Sequence, residues 1–187
     1  MHLARHRSDK IARVPNSDPD SRAAHPPART RFAQRPSPSA IAPDAACLLS
    51  QSIRIYLEDT DAGGIVYHAS WLRFFERART DWLRALGIEQ SSLGASSGIS
   101  FVVRDLQIEF LRPGQLDQRI RTELRLQATR GASLSLLQQA FDAASGAELA
   151  RATVRIAALR LADHRPVPLP RTLLENIAST REVPGPL

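Results

Sequence analysis

Apolar and polar residues alternate from Ser52 to Leu57 (SIRIYL), with Ile53, Ile55 and Leu57 on one side and Arg54 and Tyr56 on the other. A period of two sends successive side chains to opposite faces, so the segment predicts a half-buried strand. The period then lengthens. From about Ala69 to Leu86, Trp71, Phe75, Ala78, Trp82 and Leu86 fall on one helical stripe, widened by Leu72, Phe74 and Leu83. Arg73, Arg77, Thr80, Asp81 and Arg84 take the other side. Gly87 is a helix stop, and the Ser- and Gly-rich residues 88–97 predict a connecting loop. Four further strands are predicted over Ile99–Leu111, Arg119–Leu126, Ser133–Phe141 and Glu148–Leu161. Pro113-Gly114, Arg130-Gly131 and Ser145-Gly146 mark the turns between them. One strand, one long helix, then four strands on short turns predict an α+β domain, with the helix packed on a five-stranded, largely antiparallel sheet. Beyond the Pro-rich stretch after Arg165, Arg171 to Ile177 predicts a short terminal helix.

The first 46 residues do not share this patterning. They hold seven of the thirteen prolines, and Phe32 is their only aromatic residue. Such a segment buries too little apolar surface to offset chain entropy and predicts a disordered tail. The ordered domain is expected over 48–178, with a flexible C-terminus over 179–187. No apolar core of a secretory signal follows the early arginines. Asp9, Asp18, Asp20 and Asp44 argue against a transit peptide. The tail's eight basic and four acidic side chains account for most of the net charge of +6. The remainder is too evenly balanced for a nucleic-acid-binding face. No apolar run approaches the ~18 residues of a membrane span. Cys47, the single cysteine, excludes an intramolecular disulfide and a cysteine-rich metal site, and it fits a reducing cytoplasmic setting. The histidines show no ligand spacing, and no phosphate-loop or dinucleotide fingerprint is present. No metal and no cofactor are expected.

The candidate chemistry lies between Glu58 and Trp71, in EDTDAGGIVYHASW. Two acids, Asp59 and Asp61, enter a glycine turn, and His68 follows at the start of the helix. A carboxylate can activate water or attack a carbonyl directly. An imidazole can orient a carbonyl, bond to the carboxylate or shuttle a proton. Unpaired N–H groups near Tyr67 and His68, at a helix N-terminus, suit a developing negative charge. Gly63 and Gly64 permit close backbone approach and positive φ. An isolated Asp before Gly is most often a turn cap, and an isolated His most often a cap or packed polar residue. Their grouping at one strand-to-helix junction suggests hydrolytic chemistry. Asp59 reads as a turn acid bonding nearby N–H groups. Glu76, three residues from both Arg73 and Arg79, reads as an ion-pairing partner.

The segment EDTDAGGIVYHASWLRFFERART resembles the YbgC-type acyl-CoA thioesterases, members of the 4-hydroxybenzoyl-CoA thioesterase group with the hotdog fold. FVVRDLQIEFLRPGQLD continues the resemblance more weakly, and the whole covers roughly residues 51–177. The resemblance implies a long central helix wrapped by a curved antiparallel sheet. It implies hydrolysis of an acyl-CoA to free acid and CoA, with Asp61 as general base or nucleophile and His68 as its catalytic companion. Gly63, Gly64, Val66 and Tyr67 are the residues expected around the substrate. A homodimer or homotetramer is implied, and acyl carrier protein is a further candidate partner. A single helix on an open sheet also leaves edges and apolar surface to cover, an independent reason to expect oligomers. One departure concerns a tyrosine that many members carry four residues before the catalytic acid. Here that position is Leu57, with Tyr56 beside it, so no tyrosine role is carried over. The alternative function is a non-catalytic hotdog module that binds acyl-CoA or acyl carrier protein. A hotdog dehydratase or hydratase would need other His and acid placements. The intact Asp61 and His68 favour the hydrolase.

Overall fold

The alternating segments pair into one open sheet in the computed structural model, which describes residues 47–179 and 183–184. The order along the chain is β1 (Cys47–Arg54), a 3-10 turn (Leu57–Asp59), α1 (His68–Ala85), α2 (Gln90–Ser97) and β2 (Ile99–Phe110). Then come β3 (Arg119–Arg130), β4 (Ser133–Asp142), β5 (Glu148–Arg160), α3 (Arg171–Ser179) and β6 (Val183–Pro184). In space the strands run β2-β5-β4-β3-β1-β6. The five long strands are antiparallel neighbours, and β6 adds a two-residue parallel pairing to β1. This is the expected α+β hotdog architecture of five antiparallel strands and a long helix. The expected tail, residues 1–46, lies outside the described residues. Of the expected C-terminal extension, Ser179 ends α3 and residues 183–184 pair with β1, while the rest lies outside them.

Alternation decides which face meets the helix. Ile120 and Leu124 on β3, Leu134, Leu136 and Ala140 on β4, and Ala150, Ala152, Val154 and Ala158 on β5 are buried together. From α1, Trp71, Phe74, Phe75, Ala78 and Trp82 join the same core. The alanines leave depth for these large rings, and burying each ring contributes roughly 1.5–3 kcal/mol. The intervening residues carry charge on the other face. Glu123 pairs with Arg121 and Arg125, Glu148 with Arg151, and Asp105 with Arg155, its register partner across β2 and β5.

Gln138 is a polar side chain on the mostly apolar core face, which also holds Thr122. It sits on β4 between Leu124 and Ala152 and is fully buried. Its Nε2 donates to the Phe75 carbonyl at 2.8 Å, and its Oε1 accepts from Arg79 Nη1 at 2.7 Å. Arg79, also buried, closes the unit through Glu76. A polar bolt therefore joins the middle of α1 to the sheet inside a mostly apolar layer. Glu76 thus takes the ion-pairing role expected of it, with Arg79 rather than Arg73.

Two elements differ from expectation. The first strand begins earlier, at Cys47, and ends at Arg54. Ile55 remains buried, but Leu57 is 75% exposed because the chain has already turned into the 3-10 turn. The loop expected over 88–97 contains α2. No residue of α2 is buried, so no apolar stripe announces it. Ser96 and Ser97 hydroxyls donate back to the carbonyls of Ser92 and Leu93, and Gly98 ends the helix in the left-handed region.

Candidate functional site

The chain leaves β1 and folds back on itself before entering α1. The Tyr56 N–H donates to Asp59 Oδ2 at 3.0 Å, and the Asp59 N–H donates to the Tyr56 carbonyl at 3.0 Å. Asp59 is only 3% exposed, a turn acid as expected. A second, tighter turn follows. The Asp61 N–H donates to Ile65 O at 2.9 Å and the Gly64 N–H to Asp61 O at 3.0 Å. Gly64 holds φ at 74°, a conformation that costs an L-residue about 1 kcal/mol or more.

Two further hydrogen bonds tie this loop to the body of the protein. The Val66 N–H donates to Gly114 O at 2.9 Å, and the Tyr67 N–H to Asp59 O at 2.8 Å. Gly114 belongs to the turn before β3. A Cβ built there would lie 2.9 Å from Val66 Cγ2 and 3.1 Å from both Ile55 and Trp71. The missing side chain at 114 is what lets the loop approach so closely. Tyr67 then caps α1 by its backbone, and the Ser70 N–H donates to its carbonyl at 2.7 Å.

These turns present Asp61 and His68 at one exposed cleft of about 440 Å³. The loop and helix contribute Asp61, Ile65, Val66, His68 and Trp71; the end of β2 and the following turn contribute Phe110, Leu111, Arg112 and Pro113. Asp61 Oδ1 accepts from the Gly63 N–H at 2.8 Å. Oδ2 has no hydrogen-bond partner among the described residues and is available to chemistry. The His68 ring packs on Tyr67 with centroids 4.2 Å apart. No hydrogen bond joins His68 to Asp61 among the described residues, although both line the same cleft.

The expected oxyanion donors need one correction. The Tyr67 N–H is committed to Asp59, because the loop closes through it. The donors left at the start of α1 are the N–H groups of His68 and Ala69. Of the residues expected around the substrate, Val66 lines the cleft, whereas Gly63, Gly64 and Tyr67 do not and belong to the turn and helix start beside it. Residues 110–113 were not among the expected site residues. Their sequence reads as core or turn, and the pairing of β2 with β5 and the bridge from Ile65 to Gln115 bring residues 110–113 opposite the loop. Among the described residues no cluster of His, Cys, Asp or Glu could hold a metal ion, and no helix is long and apolar enough to cross a membrane.

The Gly64 conformation yields a direct test. Gly64→Ala is expected to destabilise the protein by about 1 kcal/mol and to lower turnover more than stability, since the strain falls on the turn that orients Asp61. Urea unfolding beside steady-state kinetics checks this; equal stability and kinetics in both proteins would show that the turn does not govern the carboxylate.

Comparison with known proteins agrees with this geometry. Residues 55–177 match the model of the thioesterase-like superfamily. The acyl-CoA thioesterase YbgC of Haemophilus influenzae is 39% identical over 119 residues, 64% of this chain and 86% of that protein. The acyl-CoA thioester hydrolase YbgC of Escherichia coli is 43% identical over 91 residues, 49% of this chain and 67% of that protein. The fold is shared with the crystal structure of a 1,4-dihydroxy-2-naphthoyl-CoA thioesterase from Synechocystis, with a TM-score of 0.66 at 22% identity over 70% of this chain and 95% of that one. With the junction of turn, carboxylate and helix in place and the match spanning α1 and strands β2 to β5, the chain belongs to the thioesterase-like superfamily.

Proposed function

We propose that this protein hydrolyses acyl-CoA thioesters, releasing the free acid and CoA, with Asp61 as the catalytic carboxylate. The observation that carries the reading is the Asp61 carboxylate itself. One oxygen is pinned by the Gly63 N–H, while the other is open to the cleft that also holds His68 and the start of α1. The activity named for the YbgC relatives supports it.

Two routes fit this arrangement. As general base, Asp61 takes a proton from water while the water oxygen adds to the thioester carbonyl. The tetrahedral adduct then collapses, breaking the C–S bond, and the departing thiolate takes up the proton. As nucleophile, Asp61 displaces the thiolate to form a mixed anhydride, which water opens to regenerate the carboxylate. In both routes negative charge grows on the carbonyl oxygen, and the His68 side chain and the N–H groups at the start of α1 are the groups placed to stabilise it. Thiol release from short, medium and long acyl-CoAs tests the reading. Hydrolysis of a subset defines the acyl preference. Silence with all of them, alongside retained acyl-CoA binding, would replace the enzyme by a binding module.

We further propose a homodimer formed along β2. This strand is twelve residues long and lies at one end of the sheet. Val102 and Val103 are exposed on it, and a groove of about 620 Å³ between β2 and α1 is lined by Leu72, Val103 and Leu106 with Arg73, Glu76 and Arg77. A long apolar edge of this kind recruits another strand unless it is covered. Light scattering is expected to give a dimer, and Val103→Lys a monomer at low micromolar concentration. A dimer unaffected by the substitution would place the interface elsewhere. Acyl carrier protein as an alternative acyl donor, and a cytoplasmic location beside the acyl-CoA pool, complete the reading.

A further inference from the structure

One large ring closes the inner side of the cleft. Trp71 lines the cleft yet is only 3% exposed, so the indole is a wall and not a surface side chain. It follows His68 by three residues on α1, which puts both on the same face of the helix, about 4.5 Å apart along its axis. Helical side chains lean toward the N-terminus. The indole therefore reaches back beneath His68, on the inner side of the place where Asp61 and His68 would hold a thioester carbonyl.

Two contacts fix the ring. Phe74 meets it edge-on, with centroids 5.8 Å apart and planes at 87°. Gly114 lies against its six-membered ring, where an added Cβ would come 3.1 Å from Trp71 Cζ2. Beyond it, Phe74 and Phe75 are fully buried and belong to the close-packed core. An apolar chain entering past Asp61 and His68 would run along Val66, itself buried, and meet the indole. None of these groups belongs to β2, so a second copy paired along that strand leaves the wall as it is.

We propose that Trp71 is the stop of the acyl site and sets the longest acyl group that the protein accepts. The proposal rests on the acyl-CoA reading above and assigns the acyl side of that site. Trp71 is a specificity residue here, since it meets the far end of the chain and not the reacting carbon. A methylene that fits against apolar walls raises affinity about fourfold. One that meets a fixed ring gains nothing and forces the packing apart.

The test uses the full chain with Trp71→Phe and Trp71→Leu, which remove progressively more of the ring. S-alkyl-CoA thioethers of increasing chain length, which cannot be hydrolysed, are titrated calorimetrically. In the wild type, affinity is expected to rise about fourfold per methylene up to a break point and then level off or fall. The break is expected at a longer chain in Trp71→Phe and at a longer one still in Trp71→Leu. In turnover, the KM of an acyl-CoA longer than the wild-type break, relative to that of a shorter one, is expected to fall about fourfold for each methylene gained. No break in the wild type, a break at the same length in all three proteins, or an equal loss at every length would overturn the proposal. The last of these is what a purely structural role predicts. Trp71→Leu empties part of the core, so urea unfolding accompanies each titration. If that variant does not fold, the smaller shift in Trp71→Phe decides. Thioether binding needs no turnover, so the two readings fail separately. A break that moves with Trp71 but no hydrolysis sinks the hydrolase, and hydrolysis with a length profile indifferent to Trp71 sinks this assignment.

Discussion

Asp61→Asn is expected to lower kcat for acyl-CoA hydrolysis by about a thousandfold, the middle of the range for a positioned acid or base. The substitution is chosen because it changes little else. An asparagine carbonyl can take the place of Oδ1 and accept the Gly63 N–H, which Asp61 accepts at 2.8 Å. The bonds from the Asp61 N–H to Ile65 and from the Gly64 N–H to the Asp61 carbonyl involve only backbone. The turn therefore survives, and what disappears is the basic, nucleophilic second oxygen. Unfolding midpoints and oligomeric mass serve as controls, and they should match the wild type. A variant that folds, binds CoA and still turns over at the wild-type rate would remove Asp61 from the mechanism and direct attention to His68.

Gln138→Leu is expected to cost about 3 kcal/mol of stability, at the lower end for breaking a buried polar pair. The shape is nearly conserved, so cavity terms are small. The loss comes from Arg79, whose Nη1 loses its acceptor in a buried site, and from the Phe75 carbonyl, which loses the Nε2 donor. Glu76 remains beside the guanidinium and keeps the cost from rising further. The companion variant Gln138→Leu with Arg79→Met is expected to recover most of the loss, because replacing a whole buried polar unit by apolar groups of similar size is often neutral or better. Urea denaturation at one fixed protein concentration measures both, since an oligomer's apparent stability depends on concentration. A cost below about 1 kcal/mol for the single variant would mean that water or rearrangement satisfies Arg79.

The contrast between these two residues shows what the sequence could reveal. Asp61 stood out as a candidate because the glycine turn, the acid and the following histidine stand together in the chain, and the structure brings Asp61 and His68 to one cleft. The helix was legible because Trp71, Phe75, Ala78 and Trp82 repeat at its own period, and all four are buried as that period requires. Gln138 was not, because its meaning depends on a helix 59 residues earlier in the chain. In SLSLLQQAF it reads as one polar residue among several. Leu57 misled for the opposite reason. It continues an alternation, yet the Asp59 side chain captures the Tyr56 N–H and ends the strand pattern first. Residues 110–113 stayed silent because their role arises only when the sheet brings them across from the loop. α2 was missed because a helix without an apolar stripe leaves no periodic trace.

The bonds from Val66 to Gly114 and from Tyr67 to Asp59 have a last consequence. The loop that carries the carboxylate is fastened to the turn before β3 and to its own first turn, so it cannot swing without breaking these two bonds. On the proposed function, the entropy of fixing the Asp61 carboxylate is surrendered once, when the chain folds, and not again with each thioester that arrives. A carboxylate held in this way would meet its ligand without first being ordered, and the proposed turnover would depend on how acyl chains enter and how CoA departs.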